Sequence, residues 1–404
     1  MNTVNKNGMM TRPTKNLLTL LAMAFAMASC TQAPPVNEVS VFVSGNDGYE
    51  SYRIPAIINA PNGDLLAFCE GRVHGSGDFG DIDIVLKRST DNGKTWSSMQ
   101  KVVDYDTLQA GNPAPVVDLL DPAYPEGRIF LFYNTGNNHE REVREGLGLR
   151  EVWFITSTDG GNTWSEATNI TTQVHRPNQP DTHPDYHFAE DWRSYANTPG
   201  QGMQFDQGKF KGRIYIAANH SSGAPQKAFK DYNAHGYYTD DHGKTFHLSE
   251  VVPFEGSNES MAALIHGDTL LMNSRNQQGN VRSRIISLSS DGGATWDTTY
   301  YDRQLPDPVN QGSLLAFDGA DGKPLLAFCN AADTAHRDNL TVRVSNDGGK
   351  TWFFNQPVAK APEGYEGAYA AYSDLVKIGN DRLGVLFEKD RYTQIVFTEV
   401  QWHE

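Results

Sequence analysis

The chain has 404 residues, 38% of them hydrophobic and 11% aromatic, with 37 glycines, which is apolar material for a large core or for two domains. Its 34 Lys and Arg are outnumbered by 49 Asp and Glu, for a formal net charge of −15. That balance excludes binding to nucleic acid or to an anionic membrane through bulk charge; an anionic ligand would need a local cluster of arginines set against the average.

The chain begins with three bases (Lys6, Arg12, Lys15) and no acid through residue 29, around and ahead of the apolar run Leu17–Ala28. This pattern predicts an export signal over residues 1–29, with an apolar run too short to span a bilayer as a helix. It ends in Met-Ala-Ser-Cys at 27–30, which resembles a bacterial lipoprotein cleavage box with Cys30 as the lipidated residue. Losing the three bases takes the net charge from −15 to −18. Residues 30–37 are expected to be a tether and 38–404 a single domain. The expected location is the periplasm or outer membrane of a bacterium, with the membrane reached only through the lipid, and plain secretion is the alternative.

Beyond that point long apolar helical patterns are missing and short alternating runs recur, which predicts an all-β protein. An eight-residue box repeats five times: STDNGKTW (89–96), STDGGNTW (157–164), TDDHGKTF (239–246), SSDGGATW (289–296) and SNDGGKTW (345–352). Asp-x-Gly is turn chemistry, since the carboxylate accepts from nearby backbone N–H groups and glycine tolerates positive φ. The closing aromatic is suited to packing between sheets. Five copies argue for hairpin turns rather than five active sites.

A second element, a turn glycine followed by a strand, recurs ahead of the boxes: GDLLAFCEGR (63–72), GRIFLFYNTG (127–136), GRIYIAANH (212–220), GDTLLMNSRN (267–276), GKPLLAFCN (322–330) and, without a box, GNDRLGVLFEKD (379–390). Six units predict a six-bladed β-propeller of four-stranded blades. The last unit lacks a strand, which Glu38–Val43 is placed to supply, closing the ring and removing open edges. Cys69 and Cys329 stand in identical Leu-Leu-Ala-Phe-Cys runs and are expected to be buried thiols rather than a disulfide. The polar tract 173–200 breaks the rhythm and reads as a long loop. His183 and His187 in it have a spacing seen in metal sites, but Pro184 between them argues against a helical register. No metal and no cofactor are expected.

Strand ends carry the polar residues Arg72, Asn134, His220 and Arg275. In a propeller such ends converge near the axis and can surround one small ligand. The arginines suit an anion, because guanidinium pairs with carboxylate in a bidentate fork.

Tyr52-Arg53-Ile54-Pro55, followed by five Asp boxes, resembles the (F/Y)RIP motif and Asp-box (BNR) repeats of bacterial sialidases (neuraminidases). The match runs over about residues 40–400. Gly256-Ser-Asn-Glu259-Ser resembles the family's catalytic-glutamate segment, Asn273-Ser-Arg275-Asn that of its second arginine, His336-Arg337-Asp-Asn-Leu that of its third, and Ala371-Tyr372-Ser-Asp-Leu that of its nucleophilic tyrosine. The loop 192–204 resembles a pocket-lining stretch, with Thr198-Pro199-Gly200 where the family more often has Gly-Pro-Gly.

The resemblance implies an exo-α-sialidase, a monomer acting on sialylated glycoproteins, gangliosides and oligosaccharides. Arg53, Arg275 and Arg337 would clamp the substrate carboxylate. Tyr372 would be the nucleophile, because a neutral phenol approaches a carbon bearing a carboxylate more easily than a second carboxylate does; tyrosine nucleophiles are the known exception to the two-carboxylate rule. Glu259 would take the phenolic proton. Asp78, in the Gly-rich run GSGDFGDID, would be the acid, with Asp81 and Asp83 as close rivals, and Arg72 would meet the sugar near its 4-hydroxyl. The same residues would serve a trans-sialidase or an enzyme making an anhydro product. A non-catalytic Asp-box propeller would lack the arginine set or Tyr372, and a glycosidase of neutral glycans would show paired carboxylates and aromatic platforms instead.

Overall fold

The computed structural model describes residues 37–402; the signal segment, Cys30 and most of the tether lie outside the described residues. Among the described residues the strands form an all-β propeller of four-stranded antiparallel blades, hydrogen-bonded into five sheets. Ser51–Asn59, Leu65–Arg72, Ile82–Ser89 and Gln100–Val103 run antiparallel, as do Gln109–Asp118, Arg128–Gly136, Arg150–Ser157 and Thr168–Asn169. One parallel pair, Ile82 with Gln109, links these two groups into an eight-stranded sheet. Trp192–Asn197, Ile214–Ser222, Tyr232–Thr239 and His247–Leu248 form the next sheet, with Met203–Gln204 added to its second strand. Ser257–His266 through Thr298–Pro306 and Gly312–Asp318 through Phe354–Ala359 make two more.

The last sheet joins the two ends of the chain. Ala370–Ile378, Arg382–Lys389 and Gln394–Gln401 are completed by Val39–Val43, which pairs antiparallel with Gln394–Gln401 in the register Val39 to Phe397 and Val43 to Gln394.

The recurrent apolar strand explains the packing. Leu65–Arg72 is buried at all eight positions because sheets cover both of its faces. Leu65, Ala67 and Cys69 pack with Val376, Ile395 and Phe397 of the last sheet, while Leu66 and Phe68 pack with Ala110, Ile129 and Leu131 on the other side. Cys69 and Cys329 are free, buried, and in different clusters.

Each Asp box is a turn locked by its own side chains. In the second box Ser157 donates to Asp159, Thr163 donates to it through backbone and hydroxyl at 2.9 and 2.6 Å, and Gly161 donates to Ser157 Oγ at 2.8 Å. The first, third, fourth and fifth boxes repeat the Thr-to-Asp pair. The closing aromatic then reaches the preceding four-stranded group: Trp164 lies edge-on to Phe68, Phe246 to Phe132, and Trp96 to Phe397. Each box therefore sets a turn and the spacing to the next sheet at once.

These hydrogen bonds depend on the ionised carboxylate. Thr95 and Ser89 hold Asp91 down to about 2; in Asp159 and Asp241 burial is the largest single effect and raises the pKa, but the equivalent Thr and Ser donors together outweigh it, again to about 2. A carboxyl whose folded value lies below its unfolded one, about 3.9, stabilises the fold above that pH and loses its contribution as pH falls through the folded value. Thermal stability should therefore drop between pH 4 and pH 2. Asp159→Asn should lower the melting temperature by a few degrees at pH 6 and flatten the drop below pH 4; scanning calorimetry across pH would show neither change if the box were not a stabilising element.

Candidate active site

The innermost strands are irregular at one common end. Ser51–Asn59 is bulged between Arg53 and Ala56, Gln109–Asp118 between Gly111 and Ala114, and Trp192–Asn197 between Trp192 and Tyr195. Ser257–His266 is bulged between Ser257 and Ser260, and Ala370–Ile378 between Ala370 and Ser373. A bulge breaks strict alternation and re-aims side chains. Successive residues such as Arg53 and Ile54, or Asn258 and Glu259, thereby line the same cavity, of about 310 Å³. All seven residues singled out in the sequence line it: Arg53, Arg72, Asp78, Glu259, Arg275, Arg337 and Tyr372.

The floor is a charged triangle. The Tyr372 hydroxyl donates to Glu259 Oε1 at 2.6 Å and accepts from Arg275 Nη1 at 2.8 Å, while the same Nη1 donates to Glu259 Oε2 at 2.6 Å. Burial and the Glu259 carboxylate push the Tyr372 phenol well above its ordinary value, against the opposing pull of Arg275 and Arg337. The phenol therefore stays protonated until a base removes the proton, and Glu259 is already hydrogen-bonded to it. Arg337 stands 5.5 Å from the centre of the Tyr372 ring and donates to Tyr392 Oη at 3.0 Å; it forms no ion pair among the described residues.

Arg53 is fixed by a residue the sequence reading passed over. Glu388, fully buried, accepts from Arg53 Nε at 2.7 Å and Nη2 at 3.4 Å, from the Ile54 amide at 2.9 Å and from the Tyr372 amide at 3.3 Å. Ile54 adopts φ of 59°, a left-handed conformation that strains a β-branched residue, and its amide bond to Glu388 helps hold it there. Glu70 does the equivalent for Arg72, accepting from Nε at 2.9 Å and Nη2 at 2.6 Å. Both acids follow the last apolar residue of a repeated strand, Cys69 and Phe387, which is the sequence signal that could have found them.

Asp78 sits at the rim with its side chain 75% exposed, 2.8 Å from Arg72 Nη1. What burial it has raises its pKa, but Arg72, Arg53 and Arg337 together hold it below the usual carboxylate range. Its rivals face elsewhere: Asp81 and Asp83 line a separate cavity, where Asp83 is bound by Tyr49 at 2.6 Å and Lys101 at 2.8 Å.

Two strand-end residues behave differently from each other. Asn134 lines the cavity, but His220 does not. Its ring lies against Trp192 at 3.5 Å and bonds His235 at 3.0 Å, and the preceding Asn219 lines the cavity instead. Adjacent strand residues face opposite sides, so a register error of one residue exchanges them. His183 and His187 bond only within their own loop, His187 Nδ1 to the Pro184 carbonyl at 2.7 Å. Among the described residues one group, Asp118, Asp121 and His242, has metal-ligand geometry, and Arg128 already supplies its cation, 2.8 Å from Asp121.

Comparison with known proteins agrees with this arrangement. The BNR repeat-like domain family matches residues 52–385. The chain is 33% identical over 381 residues to a sialidase of Micromonospora viridifaciens, covering 88% of this chain and 52% of that protein, so it spans about half of that relative's length. It is 30% identical to an exo-alpha-sialidase of Arthroderma benhamiae, covering 85% of this chain and 79% of that one. Among solved structures, the Hadza microbial sialidase Hz136 superposes with a TM-score of 0.75 at 26% identity, over 90% of this chain and 68% of that one. A leech intramolecular trans-sialidase superposes with a TM-score of 0.70 at 17% identity over 91% of this chain and 70% of that one, and at that identity shares the fold. With the family match running through both the (F/Y)RIP motif and the Asp boxes, and the Arthroderma enzyme matched over most of its length, this chain belongs to the BNR-repeat sialidase family.

Proposed function

We propose that the protein is an exo-α-sialidase that hydrolyses terminal α-linked sialic acid from glycoproteins, glycolipids and oligosaccharides, with retention of configuration. The observation that carries this reading is the Tyr372 hydroxyl shared between Glu259 and Arg275, in a cavity that Arg53 and Arg337 also line. Three guanidinium groups suit one carboxylate, and the phenol beneath them carries its own base.

In this reading Arg53, Arg275 and Arg337 bind the carboxylate of the sugar, and Arg72 meets the ring near its 4-hydroxyl. Tyr372 Oη attacks the anomeric carbon as its proton passes to Glu259. The bond to the leaving oxygen breaks, and that oxygen takes a proton from Asp78. Asp78, now ionised, removes a proton from water, which attacks the same carbon. The bond to Tyr372 breaks and the phenolate recovers its proton from Glu259. Asp78 is held low by three arginines in the free protein; a bound carboxylate offsets their charge and favours the protonated acid. Two inversions give net retention.

The blade count belongs to the same reading. Six blades result if the eight-stranded sheet is counted as two, and the single parallel pair that joins its halves supports counting it so. The sequence of the first 30 residues supports export, to the periplasm or the outer membrane, with acyl chains on Cys30 as the anchor. Intact mass of protein from the native host should show the acylated cysteine; an unmodified Cys30 rules the anchor out.

The decisive test is product analysis. Incubated with 3′- and 6′-sialyllactose, the protein should release free sialic acid, seen first as the α-anomer by proton NMR. Early β-anomer overturns retention, a 2,7-anhydro product or sialyl transfer moves the assignment to those activities, and no product on any sialoside leaves a binding propeller. A fluorinated sialosyl fluoride should add its mass to the peptide that contains Tyr372, and Tyr372→Phe should abolish the labelling while still binding sialic acid. A label on any other residue would falsify the nucleophile.

A further inference from the structure

Beyond Arg72 the cavity wall continues as a row of side chains that the mechanism leaves unused. Gln109, Gly136 and Arg150 are direct neighbours across three adjacent strands. Arg150 is 5% exposed, yet it makes no ion pair among the described residues. Its Nη1 donates to Gln109 Oε1, its Nη2 lies 3.4 Å from the Asn138 carbonyl, and its Nε has no partner. Glu140 and Glu70 of the same lining favour its charge through space but make no direct ion pair with it, and a buried guanidinium without a direct carboxylate partner is costly to keep. The fold nevertheless makes room for it: a Cβ at Gly136 would stand 2.2 Å from Arg150 Nη1, so only glycine lets the side chain lie across that strand. Gly136 has no positive φ to explain it, and space alone accounts for the glycine.

The row is continuous with the Arg72 end. Over Gly111, Glu70 Oε1 and Gln109 Nε2 come within 2.5 and 3.0 Å of one point. Arg72, Glu70, Gln109 and Arg150 thus follow one another round the wall. If the 4-hydroxyl of the sugar meets Arg72, as in the proposed function, the substituent on the neighbouring carbon, C5, would lie toward Gln109 and Arg150. Sialic acids differ at this carbon, which bears an N-acetyl, an N-glycolyl or a hydroxyl group.

We propose that Arg150, seated over Gly136 and steered by Gln109, is a specificity-determining residue for a C5 substituent that ends in a hydroxyl rather than a methyl. A hydroxyl oxygen accepts a charge-assisted hydrogen bond from the guanidinium. A methyl group would exclude water from that charge and return nothing. The lining also offers little apolar surface to a methyl group: among the described residues Ile54 and Ala196 are its aliphatic side chains, and Ile54 packs with Ala371 and Tyr372.

The inference rests on the sialidase reading and its test separates the two. Matched aryl α-ketosides of the 5-hydroxy, N-glycolyl and N-acetyl acids are compared by kcat/KM with the full chain. The wild type should favour one of the hydroxyl-bearing substrates over the N-acetyl one by at least about ten-fold. Preference for the 5-hydroxy acid puts the guanidinium directly against C5, and preference for the N-glycolyl acid puts it one acyl length further out. Arg150→Leu should move the ratio at least about ten-fold toward the N-acetyl substrate. If that variant fails to fold, the wild-type ratio decides alone. Equal or better cleavage of the N-acetyl substrate by the wild type overturns this inference alone, as does a folded Arg150→Leu with unchanged ratios. Cleavage of none of the three overturns the hydrolase reading and this inference with it.

Discussion

One buried carboxylate holds the site together. Glu388 takes the guanidinium of Arg53, the amide of Ile54 and the amide of Tyr372, and so ties the start of the propeller to the strand that carries the phenol. Ion pairs sealed from water contribute little net stability, because desolvation offsets attraction. What Glu388 supplies is geometry: Arg53 is pinned on one edge, and the rest of its guanidinium is left to face the cavity. Glu259 and Glu70 do the same for Arg275 and Arg72. Arg337 differs, with a tyrosine hydroxyl where the others have a carboxylate, so it brings the least compensated positive charge in the group.

The second constraint is the set of bulges. Regular strands alternate, so each inner strand would send only every other side chain toward the axis. Extra residues at the pocket end of five inner strands put neighbouring residues on the same wall. A dense polar lining is assembled this way on a scaffold whose other strands stay regular enough to pack.

Much of this was legible in the sequence. The Asp boxes announce themselves by repetition, since their chemistry is local: a serine, an aspartate and a threonine bonding within eight residues. The turn-and-strand units are equally plain, because strands buried on both faces must be nearly continuous in apolar residues. Arg53, Glu259, Arg275, Arg337 and Tyr372 were found through family motifs, and the structure gathers them round one cavity. Other features were hidden for physical reasons. The sequence points to His220 where Asn219 lines the cavity, because strand parity near a bulge is not written in the residues. Glu388 and Glu70 look like ordinary acids at strand ends until their partners, distant in sequence, are known. Arg150 opens its strand as a charged residue that any surface would tolerate, and only the glycine beside it in space shows that it is buried.

The closure of the last sheet has a consequence for the order of assembly. Among the described strands Val39–Val43 is made before all the others and pairs with Gln394–Gln401, made after them. Until the final segment is free, the outer strand of that sheet has no partner and the ring stays open. Glu388 and Tyr372 arrive late for the same reason, while Arg53 is made early. Long-range pairing of this kind slows folding. Such a nascent chain must make that last strand before the ring and the site can be completed, and deletion of either strand would open the same seam.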